Sequence, residues 1–472
     1  MMPWRTHPVV LGVAALFIFL GGLYCFSIGI RASRGASITG DEPFYLLTTQ
    51  SLLQDGDFDL RNQYRQRSYT SFFDHPDGLW QQSAPNDGGR LLSPHNPGLS
   101  VYILPGFAIG GLRGVQLQLL LTAALMFALT FALNARVTGR ILLSWCSTLA
   151  IAATATPFVY ATEIYPEIPA ALVIVAALLL ALHKPHGAAA GIVIALVLSL
   201  LPWLGVKYAP LAGIVAVAFF LRADKGARTA LVCVAISSAA VYVWAHFELF
   251  GALTPYSVGT VHAGQSTSEL LGNHFDLRDQ AYRLYGIFID RRFGIGRWAP
   301  ILLVALAGVP LLFRRPAGVM AAALGLAQLF MATFVAITMM GWWFPGRTMI
   351  TVVPLLALPL ALLVDRFGRP AGIVAGVAAL YSFAVTAVLI EAGFSREIVV
   401  AVDPFELSSP VYTMLSPFFP QYTSWTTATR LLTSAWLGGA GLGLAVTYRA
   451  GIEAGLRRAK VGVERGAAFA LR

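Results

Sequence analysis

Apolar runs of roughly 17 to 25 residues, the length a helix needs to cross the hydrocarbon core of a bilayer, recur along the whole chain. They fall near 8–30, 114–134, 141–158, 167–183, 188–204, 208–221, 229–249, 298–313, 317–340, 348–364, 371–391 and 431–448. The expected fold is therefore all-α, a polytopic membrane protein of about twelve transmembrane helices with both ends on one side. The polar positions orient it. Basic residues sit in the short loops at Arg136 and Arg140, Lys184, Arg222, Lys225 and Arg228, Arg314 and Arg315, and Arg366 and Arg369. They continue in the tail from Arg449 through Arg457, Arg458 and Lys460. Short basic loops remain in the cytoplasm. The segment 97–112 is also apolar, but a further span there would turn every later basic loop outward, and Pro97, Gly98, Pro105 and Gly106 interrupt it. It is expected to be re-entrant or to lie along the interface. One transmembrane domain over 1–449, with a first extracytoplasmic loop at 31–113, and a basic cytoplasmic tail at 450–472 account for the chain; no internal repeat is evident.

Composition agrees and removes several classes. With 57% hydrophobic and 12% charged residues the chain is too apolar for a soluble domain, as its mean hydropathy of +0.69 also says. A net charge of +10 would suggest nucleic acid in a soluble chain. Here the basic residues serve orientation, and no nucleic-acid partner is implied. Cys25, Cys146 and Cys233 lie in or beside apolar runs and form no disulfide or metal pattern. The run from Pro8 to Ile30 is long for a signal peptide and is expected to be a retained first helix.

The outward side then receives 31–113, a turn around 160–167, another around 203–208, the loop 250–297, a turn at 341–347 and the loop 392–430. The candidate chemistry is there. Thr39-Gly-Asp-Glu-Pro-Phe-Tyr45 opens a helix-like stretch running to about Arg61 and sets two adjacent carboxylates, Asp41 and Glu42, at a membrane edge. Asp41 suits an N-cap, and Glu42 with Pro43 suits a first turn. Glu167 opens another helix, where a carboxylate is electrostatically at ease, and Glu163 lies four residues earlier. A charge at the edge of a span is also a functional-site candidate. Carboxylates converging from separate loops can hold a divalent cation, Mg or Mn, between Asp41 and Glu167, or let one act as general base. Lys207, Arg291, Arg292, Arg297 and Arg347 end or precede spans on the same side. Such side chains snorkel to headgroups or bind phosphate. Asp55, Asp57 and Asp59 alternate like a calcium loop but lack its glycine, so a solvated turn is expected. The aromatic run of Phe418, Phe419, Tyr422 and Trp425 is expected to form an interfacial cover.

Gly40-Asp41-Glu42-Pro43-Phe44-Tyr45 after the first helix, His95-Asn96-Pro97-Gly98 leading back to the membrane, Tyr165-Pro166-Glu167, and the tryptophan-rich turn of Trp342 and Trp343 ending in Arg347 resemble the C-type (GT-C) superfamily of integral-membrane glycosyltransferases. The nearest branch is similar to protein O-mannosyltransferases and the lipid A aminoarabinose transferase. The resemblance implies inverting transfer of a sugar from a polyprenyl-phosphate donor to a lipid, glycan or protein acceptor, on the extracytoplasmic face of a bacterial cytoplasmic membrane, among membrane lipids. It implies Asp41 as base, with Glu42 and Glu167 as the other catalytic carboxylates, although Glu163 competes with Glu167 for the second acidic position. His95, Tyr165, Lys207, Arg291, Arg292 and Arg347 are the expected substrate-binding residues. A secondary transporter or a flippase for lipid-linked sugars is the rival class, since twelve spans is also a transporter layout; its groups should lie near the bilayer midplane.

Overall fold

The computed structural model describes residues 7–86, 88–182, 186–258, 277–336, 338, 339, 341 and 343–470, with side chains up to residue 450. Lys184, Trp342 and residues 259–276 of the 250–297 loop lie outside the described residues, as do the side chains of Arg457, Arg458 and Lys460.

The chain is helical, with no β-strand among the described residues. In order come α1 (His7–Tyr24), α2 (Glu42–Gln54), α3 (Arg61–Arg65), α4 (Pro97–Tyr102), α5 (Leu104–Thr138), α6 (Ile141–Ala152), α7 (Ala155–Tyr160), α8 (Glu167–Ala181), α9 (Ala188–Leu204), α10 (Ala209–Arg222) and α11 (Lys225–Phe250). Beyond them the longer helices are Pro316–Phe334, Ala357–Phe367, Arg369–Phe394 and Thr427–Ala470. Six helical segments among the described residues are long and apolar enough to cross a membrane: His7–Ser27, Leu104–Thr138, Lys225–Val258, Pro316–Phe334, Arg369–Phe394 and Thr427–Ala450. Their outward faces are apolar, with Ile18 and Leu380 each 72% exposed and Leu442 68%. A surface of that kind is stable against lipid tails and not against water.

The remaining expected spans are shorter or broken. α6, α8 and α9 have 12, 15 and 17 residues, so at about 1.5 Å per residue each falls short of a bilayer core of about 30 Å. The run 141–158 is interrupted where Thr154 turns extended between α6 and α7. The run 298–313 becomes a helix at Pro300–Ala307 followed by a 3₁₀ segment around Pro310. The run 348–364 begins as two 3₁₀ turns, with Pro354 in the second, and is α-helical only from Ala357. A proline removes one helical donor and crowds the preceding turn. Such breaks are tolerated where neighbouring protein covers the backbone.

The segment 97–112 folds back on itself. Gly110 and Gly111 leave helical geometry and split α5 into two arms. The short arm lies against the long one, where Gln118 accepts from the Gly106 N–H at 2.9 Å and donates to the Tyr102 carbonyl at 2.7 Å. About a dozen residues of helix span about 20 Å, less than the bilayer core. The segment expected to be re-entrant or to lie along the interface is thus a short helical hairpin.

The core is built where α5 packs on α1 and α8, α8 on α9, and α6 on Ala357–Phe367. Tyr24, Phe127, Phe131, Phe158 and Trp298 are fully buried there. In the first loop the three aspartates are consumed locally, as the turn reading expects: Asp57 accepts from Ser51 and from the Asp59 N–H, Asp59 pairs with Arg61, and Asp55 accepts from Asn62. The loop near 400 crosses back to the start of the first loop, with Val400 donating to the Arg31 carbonyl and Ala401 to that of Ala32.

The orientation predicts a labelling pattern. In a chain whose Cys25, Cys146 and Cys233 are replaced by alanine, cysteines at Asp57 and Thr413 react with an impermeant thiol reagent from outside, and those at Arg140, Lys225 and Arg369 react only after permeabilisation. Outside labelling at Arg140 would mean that 97–112 crosses the membrane.

Candidate functional site

The N-terminus of α2 meets the turn between α7 and α8, the turn after α9, and the turn before residue 348. Two glycines set the backbone at this junction. Gly40, at φ +60°, lies so close to Tyr165 that a Cβ would come to 2.7 Å from its hydroxyl oxygen. Gly346, at φ +92°, would bring a Cβ to 2.6 Å from Ile295 and 2.9 Å from Thr156. The left-handed backbone together with the close approach favours glycine at both positions. They aim the next residues, Asp41 and Arg347, at each other.

Arg347 is 8% exposed and sits between two carboxylates. Its Nη2 donates to Asp41 Oδ2 at 3.1 Å and its Nε to Glu167 Oε1 at 3.3 Å. Its guanidinium also stacks 3.8 Å from the Tyr165 ring centroid and 4.8 Å from that of Trp343. Lys207 Nζ donates to the same Glu167 oxygen at 2.8 Å. The turn carrying Arg347 is fixed from α7: Thr156 donates to the Pro345 carbonyl at 3.1 Å and Tyr160 to that of Phe344 at 2.7 Å. Two carboxylates and two cations thus meet in one partly enclosed group, and their charges cancel.

Asp41 does not cap its helix. It occupies the N-cap position with αR geometry and no side-chain capping bond. Its Oδ2 goes to Arg347, while its Oδ1 faces His95 Nε2 at 3.8 Å with the side chain 28% exposed. Burial opposes ionisation of Asp41, but His95, Arg347 and Lys207 outweigh it and hold the carboxyl below its usual range. Burial in turn keeps His95 below the usual imidazole range, against the pull of Asp41. His95 is further held by Gln82 at 2.7 Å and by the Tyr45 ring.

Glu42 plays a different part from its neighbour. It is 1% exposed, and its two oxygens accept from the Thr39 N–H at 2.8 Å and the Ile164 N–H at 2.9 Å. It clips the first loop to the α7–α8 turn. Burial pushes it up to about 7, although the two backbone donors and the Arg347 charge favour its ionised form. Of the two glutamates in the second turn, Glu167 joins the cations, and Glu163 points away beside Glu42. Burial, and then the Glu42 charge, drive Glu163 well above the usual carboxyl range.

The expected residues divide accordingly. Asp41, Glu167, Lys207, Arg347, Tyr165 and His95 come together. Tyr165 is 2% exposed and serves as the platform beneath Arg347, its hydroxyl donating to the Thr39 carbonyl, so no face of it is open to a ligand. Arg291 and Arg292 are engaged elsewhere: Arg291 donates to the Phe419 carbonyl at 3.0 Å and Gln421 at 3.4 Å, and Arg292 stacks on Phe405. They tie down the 392–430 loop, whose Phe418 and Trp425 are exposed. The pair expected to hold a divalent cation, Asp41 and Glu167, is already bridged by Arg347, and Lys207 holds Glu167 as well. Among the described residues no three His, Cys, Asp or Glu side chains are grouped to hold a metal ion. The sequence reading missed the clip made by Glu42.

No family model matches the sequence. No curated protein matches it either. Among solved structures the chain is similar to ArnT from Cupriavidus metallidurans in the apo state, at 15% identity over 94% of this chain and 78% of that one, with a TM-score of 0.49. It is similar also to ArnT from Cupriavidus metallidurans bound to undecaprenyl phosphate, at 16% identity over 92% of this chain and 77% of that one, with a TM-score of 0.47. Both scores lie below 0.5, so the chemistry of this chain rests on its own side chains.

Proposed function

We propose that this protein is a membrane glycosyltransferase of the C-type superfamily, which moves a sugar from a polyprenyl-phosphate donor to an acceptor hydroxyl at the extracytoplasmic face, with inversion. The observation that carries the reading is the state of Asp41. A residue placed to cap a helix instead offers a partly exposed carboxylate oxygen, with its other oxygen on an arginine and a lysine close by. That is a base next to a phosphate-binding pair, the two functions the reaction needs.

The steps follow from the charges. The acceptor hydroxyl gives its proton to Asp41 Oδ1 as its oxygen attacks the anomeric carbon from the side opposite the phosphate. The bond from that carbon to the phosphate oxygen breaks, and the electron pair leaves with the phosphate. A phosphate is a good leaving group, so deprotonation of the acceptor is the step most in need of help. Charge growing on the phosphate is met by cations that need no reorganisation. Lys207, with 26% of its side chain exposed and one bond to Glu167, is the more accessible of the two. Arg347 is nearly enclosed and mainly fixes Asp41. An incoming phosphate competes with Asp41 for these cations. As it draws them off, the Asp41 carboxyl rises toward its ordinary range and becomes a better proton acceptor.

A transporter would carry its binding groups on broken helices near mid-membrane. Here the charges sit on the turns at helix ends, which favours the transferase. Transfer by purified protein in detergent, where no compartments exist, separates the two classes.

Asp41→Asn keeps the shape and loses the base. Its turnover with a polyprenyl-phosphate sugar falls on the order of 100-fold or more, measured per folded molecule, since the Asn amide oxygen can still accept from Arg347 and Glu167 still pairs that guanidinium. Turnover near that of the parent would reduce Asp41 to a structural residue.

The two cations separate in steady-state kinetics. Arg347→Lys keeps a charge but cannot reach both carboxylates as a fork does, so kcat drops about 10-fold or more with a smaller change in KM. Lys207→Ala raises KM for the donor about 10-fold. The opposite split, with donor affinity lost at Arg347 and turnover at Lys207, would exchange their roles.

A further inference from the structure

Behind the Asp41–Arg347 pair, under the first turn of α2, lies a cavity of about 20 Å³ lined by Ser27, Ser37, Glu42, Gln116, Thr162 and Glu163, with apolar side chains closing the rest. Glu163 is 6% exposed, and neither of its oxygens has a hydrogen-bond partner. The neighbouring hydroxyls are committed: Thr162 donates to Ser27 Oγ at 3.0 Å, and Ser27 to the Tyr24 carbonyl at 2.7 Å. The nearby cations are committed too, Arg347 to Asp41 and Glu167 and Lys207 to Glu167. A bare carboxylate stranded in such surroundings is costly, and a neutral acid is not. The carboxyl of Glu42 stands next to it and keeps lone pairs beyond those used by Thr39 and Ile164.

We propose that Glu163 keeps a proton at neutral pH and shares it with Glu42, and that this carboxyl pair, with the water-sized cavity beside it, is a positioning device tying the Asp41 loop to the Tyr165 turn. For the transfer reaction proposed above, on which this role rests, Glu163 is then a positioning residue and touches no substrate. Glu42 holds the Ile164 N–H, and the next residue, Tyr165, is the platform of Arg347. When the pair loses its last proton, two like charges face each other in a buried site. The Glu42–Ile164 link and the Tyr165 platform then loosen, and Asp41 loses its alignment with them.

The other groups that face the pair are Asp41 at the head of α2, Tyr160 on α7, Glu167 on α8 and Arg347. Arg113 on α5 acts on it only through Gln116, to which it donates at 3.3 Å. None of them supplies Glu163 with a hydrogen bond. The direction with pH follows from the protonated state. A carboxyl raised in the folded protein stabilises it fully below the ordinary carboxyl range, and that contribution is lost as pH rises toward the raised value. With Glu42 pushed up to about 7 and Glu163 higher, the loss extends through neutrality into the alkaline range. The two titrate as a pair.

The test uses the full chain in detergent from about pH 5 to about pH 9. The parent loses thermal stability and turnover as pH rises. Glu163→Gln, which has the shape of the neutral acid, flattens the stability profile and keeps turnover within about threefold of the parent at neutral pH, whereas Glu163→Ala falls about tenfold or more at every pH. Infrared spectra of the parent at neutral pH show a protonated-carboxyl band that the Gln variant lacks. A Gln variant declining in parallel with the parent, or a parent without that band, overturns the proposal. Should the Gln variant fail to fold, the band in the parent decides. Absence of any transfer by the parent sinks the transferase reading instead, while the stability profile and the band still report on the pair.

Discussion

The guanidinium of Arg347 is the point on which the candidate site depends. It joins Asp41 to Glu167 across 306 and 180 residues of sequence, and Lys207 completes the charge balance. At low effective dielectric such contacts are strong, and an unpaired member is expensive. Removing one partner of a buried ion pair costs about 3–5 kcal/mol, mostly for the charge left behind. The same arrangement would be a poor source of stability if apolar groups of equal size could replace it. Its retention in a site open to one side is understandable if a negative group must enter there, since a cation held by carboxylates is ready for an anion without having to be desolvated again.

Much of the architecture was legible because lipid imposes a simple rule, that a helix must be long and apolar to cross. α1, α11 and the helices at 316–334 and 369–394 obey it and were placed to within about six residues, whereas α5 begins ten residues before the expected 114 and the last helix runs on to 470, well past the expected 448. The breaks at Thr154, Pro310 and Pro354 were not placed, since an apolar run does not record whether its backbone is lipid-facing or covered by neighbouring helices. Orientation rests on the basic loops alone, and Pro97, Gly98, Pro105 and Gly106 marked 97–112 as broken without showing that Gly110 and Gly111 turn it back.

The site was legible by residue type and less so by role. Asp41 satisfies every compositional requirement of an N-cap, and only the direction of its side chain, set by Gly40 and Arg347, says otherwise. Glu42, its neighbour in sequence, was expected to share its chemistry and instead binds two backbone amides. Glu163 and Glu167 lie four residues apart but reach different surroundings, one a small cavity and the other two cations, because the turn at Tyr165-Pro166 separates them. Arg291 and Arg292 have the same chemistry as Arg347, yet their partners at Phe419 and Phe405 arrive more than a hundred residues later. Sequence position at a membrane edge therefore identifies which side chains are candidates, and long-range partners decide among them.

The separation of 306 residues between Asp41 and Arg347 also has a meaning for biogenesis. Chains grow at about 5–20 residues per second, so the first loop is outside the membrane for about 15–60 s before its arginine is made. During the last part of that interval Lys207 is the cation nearest Asp41, and the arginine that bonds it is still missing. Assembly of the site is in this sense completed late in synthesis: a nascent chain cut short before residue 347 carries most of the helices and the Lys207–Glu167 pair, and leaves Asp41 without its arginine.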